Sequence, residues 1–282
     1  MTLLDTRRPG PAHLALPLIA GALAVLGTVA TYHVFVRTIS GQWLDTAAML
    51  GTDVQHPRVE DILSRTMDAT TLTSLVLVCM AAAAIGVFRK RIDLAVGAAF
   101  LVLAANGTTQ VLKSTLPRLP FDGTNYPNSL PSGHVTAAAS VAFALVLVLP
   151  AAWQGAAALI GASYTAAIAI GTVWAQWHRP SDVIAATLVV LGCGALAVLV
   201  IRLFRRRRAG RPSLYAVIPL LVTAAVTVPV TVLGLLLGKT SESMTTLPEP
   251  SRLAFLTGAA GVAAVVATGF LTWLWLTPGD AD

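Results

Sequence analysis

Two short polar segments, Pro131-Ser132-Gly133-His134 and His178-Arg179-Pro180-Ser181-Asp182, sit at the ends of membrane-length apolar runs. A histidine beside a Ser-Gly turn at a helix start offers backbone N–H donors for an anion and a proton for transfer. Four residues before Asp182, His178 offers a nucleophile: a carboxylate holding Nδ1–H leaves Nε2 free to attack phosphorus. A phosphohistidine formed this way needs a second group to protonate the leaving alcohol, and His134 is the other well-placed histidine. Each piece also has a plain structural explanation. Ser132 caps the helix that follows, and Asp182 near a helix start is favourable on dipole grounds alone.

Lys113 ends an apolar run and Arg118 follows in the next loop, and both can offset phosphoryl charge or snorkel to the interface. Asn125, Tyr126 and Asn128 lie in the same loop and are candidates for touching a substrate. His13, His33 and His56 have no partner pattern and read as interfacial or loop residues. No spacing matches a zinc signature, and no Gly-rich phosphate loop with its lysine is present, so the expected chemistry uses no metal, cofactor or nucleotide.

The elements that must position these residues are membrane helices. The chain has 282 residues, 56% of them hydrophobic and 11% charged, with a mean hydropathy of +0.76, which excludes a water-soluble core as the home of its apolar surface. Apolar runs of spanning length extend over about 14–36, 69–88, 94–112, 135–153, 156–177, 183–204, 214–238 and 253–276. With no period-2 alternation, these predict an all-α polytopic bundle of about eight transmembrane helices. The first run follows Arg7 and Arg8, lacks a small-residue cleavage site, and is expected to stay as a helix. Cys79 and Cys193 fall within spans and read as small core residues.

Basic residues set the expected orientation. Arg89-Lys90-Arg91 and Arg205 to Arg208 fall on one side with Arg7 and Arg8, which places both termini in the cytoplasm. The alternation then puts Lys113, Arg118, His134, His178 and Asp182 together on the extracytoplasmic face of the cell membrane. The net charge of +6 is explained by these topology anchors, not by nucleic acid. Residues 37–68 mix Asp45, Asp53, Glu60 and Asp61 with Trp43, Leu44, Met49 and Leu50, a pattern expected in part to form an interfacial helix. Asp122-Gly123 reads as a turn. Residues 205–212 suggest a hinge between a six-helix core, 1–208, and a final helix pair, 209–282.

These residues resemble the type 2 phosphatidic acid phosphatase superfamily of membrane lipid phosphatases, by motif over 113–182 and by hydropathy over the six-helix core. The resemblance implies His178 as nucleophile, Asp182 as its orienting carboxylate and His134 as general acid, with Lys113, Arg118, Ser132 and Gly133 binding phosphate. Where the family usually has an Arg-Pro pair after the lysine, this chain has Pro120 and Phe121, with Arg118 earlier. Where a Ser-Arg pair usually precedes the nucleophile, it has Gly171 and Thr172. Arg179 supplies positive charge beside His178 in their place. The implied activity is hydrolysis of a lipid phosphate or diphosphate, of the polyprenyl or phosphatidic acid class, in the cell envelope. Two competitors are a phosphotransferase with the same nucleophile and a degenerate lipid-binding or scaffold protein.

Overall fold

A computed structural model describes residues 12–52, 61, 65, 72–124, 127–205, 210, 212–238 and 249–278. Among them are the helices α1 (Ala12–Phe35), α2 (Ile39–Leu50), α3 (Leu72–Phe88), α4 (Ile92–Thr115) and α5 (Gly133–Val148). They continue with α6 (Ala151–Trp174), α7 (Pro180–Arg205), α8 (Leu214–Gly238) and α9 (Arg252–Leu276). Six are long and apolar enough to cross a membrane: α1, α4, α6, α7, α8 and α9. The shorter α3 and α5 complete a polytopic helical bundle, and no strand occurs among the described residues. Side chains such as Leu23, Phe88, Leu103 and Phe204 are exposed on its periphery, as lipid contact requires.

Helix ends follow from local chemistry. Thr38 caps α2, Ser132 caps α5 and Ser251 caps α9, each side chain accepting a backbone N–H of the first turn. Pro180 opens α7 at a position where its missing N–H costs nothing. The run expected to span 135–153 stops at Val148. Pro150 forces Leu149 into extended geometry, so Trp153 belongs to α6 instead. The interfacial helix expected within 37–68 is α2, whose Gln42, Asp45 and Thr46 are nevertheless buried.

The interior is packed through small residues and three aromatic rings. Phe143 of α5 stacks on Trp273 of α9 at 4.7 Å and meets Phe270 edge-on at 4.8 Å. The Trp273 indole donates to the Phe143 carbonyl at 3.0 Å, satisfying its one polar atom. At Gly161 an added Cβ would come within 2.7 Å of the Ala142 Cβ and 3.0 Å of Phe270, so the lack of a side chain lets α5, α6 and α9 close up. α1 lies along α7, α4 packs on α5 and α7, and α9 touches α2, α6 and α7. Cys193 is a free thiol; the side chain of Cys79 lies outside the described residues.

The chain order brings α2, the α4–α5 connection, the α6–α7 turn and the N-terminus of α9 to one end of the bundle. Thr52 donates to the Trp174 carbonyl at 3.1 Å, and the Ser251 N–H donates to the Ala47 carbonyl at 3.3 Å. Arg89, Lys90 and Arg91 lie at the other end, where Arg89 donates to the Val148 carbonyl at 2.6 Å. The clusters at 7–8 and 205–208 lie outside the described residues, apart from the backbone of Arg205.

Candidate phosphoryl-transfer site

The site begins where α6 ends. A tight turn at 175–179, with Gln176 at positive φ, returns the chain so that the Trp177 and His178 N–H groups both donate to the Thr172 carbonyl. α7 then starts at Pro180, which places Asp182 one turn from His178. The His178 Nδ1 lies 3.2 Å from Asp182 Oδ2. That carboxylate oxygen also accepts the Arg179 N–H at 3.0 Å and the Ser129 hydroxyl. Asp182 is fully buried, so these donors hold the charge it carries beside His178.

The second segment is tied directly to the first. The Ser132 N–H donates to the Asp182 carbonyl at 2.9 Å, while the Ser132 hydroxyl accepts the Val135 N–H at the start of α5. The Leu130-Pro131 peptide is cis. A Cβ built on Gly133 would meet nothing closer than the Gln110 amide at 3.9 Å, so the helix start is open. His134 follows, its ring 6.2 Å from that of His178 and 6.2 Å from that of Trp177. Its Nδ1 is buried without a hydrogen-bond partner among the described residues, as is Asp182 Oδ1. Lys113, partly exposed at the end of α4, is near enough for its charge to act on His134.

A buried polar network backs this pair. Arg118 Nη2 donates to Asp122 Oδ2 at 3.3 Å, and Arg179 Nη2 is 3.9 Å from the same oxygen. Thr46 of α2 donates to that oxygen at 2.6 Å and accepts Arg179 Nε at 3.1 Å. Thr124 bonds the other Asp122 oxygen through its N–H and hydroxyl. Burial alone would raise the Asp122 pKa, but the Thr46 and Thr124 hydrogen bonds and the Arg118 charge outweigh it and hold the carboxyl below its usual range. Burial, with Arg179 alongside, lowers the Arg118 pKa, yet a guanidinium keeps its charge under all ordinary conditions. Arg118 Nη1 is buried with no hydrogen-bond partner among the described residues.

All eight residues expected to form a site therefore gather at one end of the bundle: Lys113, Arg118, Ser132, Gly133, His134, His178, Arg179 and Asp182. The loop asparagine Asn128 instead donates to the Leu116 and Leu130 carbonyls and shapes the loop. Asn125 and Tyr126 lie outside the described residues, as do the side chain of His13 and all of His56. His33 rests against Tyr32. What the motifs did not announce is α2. Asp45 accepts the Ser181 N–H at 3.0 Å and the Ser181 hydroxyl, while Gln42 accepts the Phe121 and Asp122 N–H groups. Their spacing at 42, 45 and 46 puts three polar residues on one helical face, the one signal available in the sequence. Among the described residues, no group of three or more His, Cys, Asp or Glu side chains is arranged to hold a metal ion.

A family model described as PAP2 superfamily matches residues 94–209, from the first turn of α4 past the end of α7. Searches of curated proteins and of solved structures returned no match. The matched segment contains both histidines, Asp182, Lys113 and both arginines, but not α2 or the last two helices. Residues 94–209 are thus similar to the PAP2 superfamily, which supports a phosphatase-type function, and the six long apolar helices are those of a multi-pass membrane protein.

Proposed function

We propose that this protein hydrolyses a lipid phosphate or diphosphate, of the polyprenyl or phosphatidic acid class, at the extracytoplasmic face of the cell membrane through a phosphohistidine on His178. The observation that carries the reading is the contact of His178 Nδ1 with the buried Asp182 carboxylate, with the His134 ring alongside. Asp182 holds the Nδ1 proton and stabilises the charge that builds on the ring as Nε2 attacks. The new N–P bond forms as the ester P–O bond breaks, and His134, protonated, gives its proton to the departing lipid oxygen. Water then attacks the phosphohistidine, His134 takes a proton from it, and inorganic phosphate leaves with both histidines restored.

The phosphoryl oxygens find donors at the open start of α5, at the orphan nitrogen of Arg118, and at Lys113 and Arg179. The orientation is supported by the basic residues Arg89-Lys90-Arg91 at the end opposite the site, since Lys and Arg favour the cytoplasmic side. The test is phosphate release by the purified protein from a panel of lipid phosphates and diphosphates. The expected result is release that His178→Asn abolishes. Unchanged release by that variant would remove the mechanism.

A further inference from the structure

Both motif arginines of the family pattern are absent here, yet two guanidinium groups still converge beside the histidine pair. Neither stands alone. Arg118 is held through one nitrogen, Nη2, by Asp122, four residues on, which leaves Nη1 buried and without a partner among the described residues. Arg179 is held by Thr46 at Nε and by Ser129 at Nη1, and lies close to Asp122 at Nη2. The Thr46 hydroxyl does both jobs at once, donating to Asp122 and accepting from Arg179. Thr46 has no exposed surface, Asp122 is 4% exposed, and the two arginine side chains are each 2% exposed. A buried guanidinium with a spare donor is costly unless an anion completes it.

The geometry points to a positioning clamp, Asp122 held by Thr46 of α2, that sets Arg118 and Arg179 as one fork for the phosphoryl group bound at His134 and His178. Asp122 bonds Arg118 through one nitrogen only, so the Arg118 Nη1 donor is kept for an incoming phosphoryl group. Thr46 fixes where the Asp122 carboxylate sits. The clamp thus recruits α2, which lies outside the PAP2 match, and does the work of arginines placed by motif in other chains. It rests on the proposed phosphatase reading and assigns Thr46 and Asp122 as positioning residues, since neither is offered as a group that touches substrate.

The experiment compares the full-length wild type with Thr46→Val, Thr46→Ser, Asp122→Asn and Arg118→Ala, in detergent micelles. Each is measured for KM and kcat on a lipid phosphate, inhibition by orthovanadate, and thermal unfolding. Thr46→Val and Asp122→Asn are expected to raise KM and weaken vanadate inhibition by about tenfold or more, following Arg118→Ala, the scale of one lost charge-assisted contact. Thr46→Ser keeps the hydroxyl and is expected to restore wild-type values. The clamp is overturned if Arg118→Ala weakens vanadate while Thr46→Val and Asp122→Asn do not. It is also overturned if Thr46→Val and Thr46→Ser lose activity equally with a common fall in melting temperature. A wild type that neither hydrolyses any lipid phosphate nor binds vanadate overturns the phosphatase reading and the clamp with it.

Discussion

The His134 and His178 rings meet edge-on, 6.2 Å apart centroid to centroid, at an interplanar angle of 69°. That separation suits one tetrahedral group touching both imidazoles. It arises because the Ser132 N–H bonds the Asp182 carbonyl, locking the start of α5 to the start of α7. The two motifs, far apart in sequence, are thus one hydrogen-bonded unit.

Substituting Asp182 by Asn keeps the shape but removes the charge beside His178 and favours the wrong tautomer. Turnover is expected to fall by about 10²- to 10⁴-fold, with substrate affinity little changed. Steady-state kinetics on a lipid phosphate checks this, and a drop confined to KM would contradict it.

Arg118→Ala removes the Nη1 donor, which has no partner among the described residues. The loss of one charge-assisted contact is expected to cost about 1.5–3 kcal/mol of transition-state binding, roughly 10- to 150-fold in kcat/KM. Arg118→Lys is expected to recover only part, because an ammonium cannot bond Asp122 and a phosphoryl oxygen in the same fork geometry.

Asp45 supplies a pH dependence of stability. It lies on α2, outside the long apolar spans, and its pKa is raised to about 7, first by burial and then by the nearby Asp182, against the Ser181 hydrogen bonds and Arg179. A carboxyl whose folded pKa is raised binds its proton more tightly when folded, so stability falls as pH rises from the unfolded value of 3.8 to about 7. The full effect is on the order of 4 kcal/mol. Asp45→Asn keeps a neutral partner for Ser181, so its melting temperature relative to wild type is expected to climb between pH 5 and pH 8. A difference that stays flat across that range would contradict the assignment.

Trp273 joins α9 to the interior through Phe143. Trp273→Ala leaves a cavity and removes the indole hydrogen bond, and is expected to destabilise by about 3–5 kcal/mol, read as a lowered melting temperature in detergent. Trp273→Phe, which keeps the stacking and loses only the indole donor, is expected to fall between.

The spans and the two histidine motifs were legible in the sequence because apolar runs of membrane length and short polar breaks are local signals. The end of α5 was less so: Val148-Leu149-Pro150-Ala151 is apolar throughout, and only the geometry imposed before Pro150 separates two helices. The buried polar face of α2 was hidden for a different reason. Asp45 reads as a loop acid until Ser181, 136 residues away, comes to rest against it, and Asp122 reads as a turn former until Thr46 and two arginines surround it. Such partners are set by how helices pack, which hydropathy does not encode. Arg179 stood next to the nucleophile in the sequence, but its anchorage on Thr46 and Ser129 required the fold.

The most direct measurement is to mix the protein with lipid carrying labelled phosphate, quench within the first turnover, and map protein-bound label by mass spectrometry. The account predicts an alkali-stable, acid-labile phosphoryl group on His178, absent from His178→Asn. Phosphate release that proceeds with no label on His178, or with label on another residue, would contradict it.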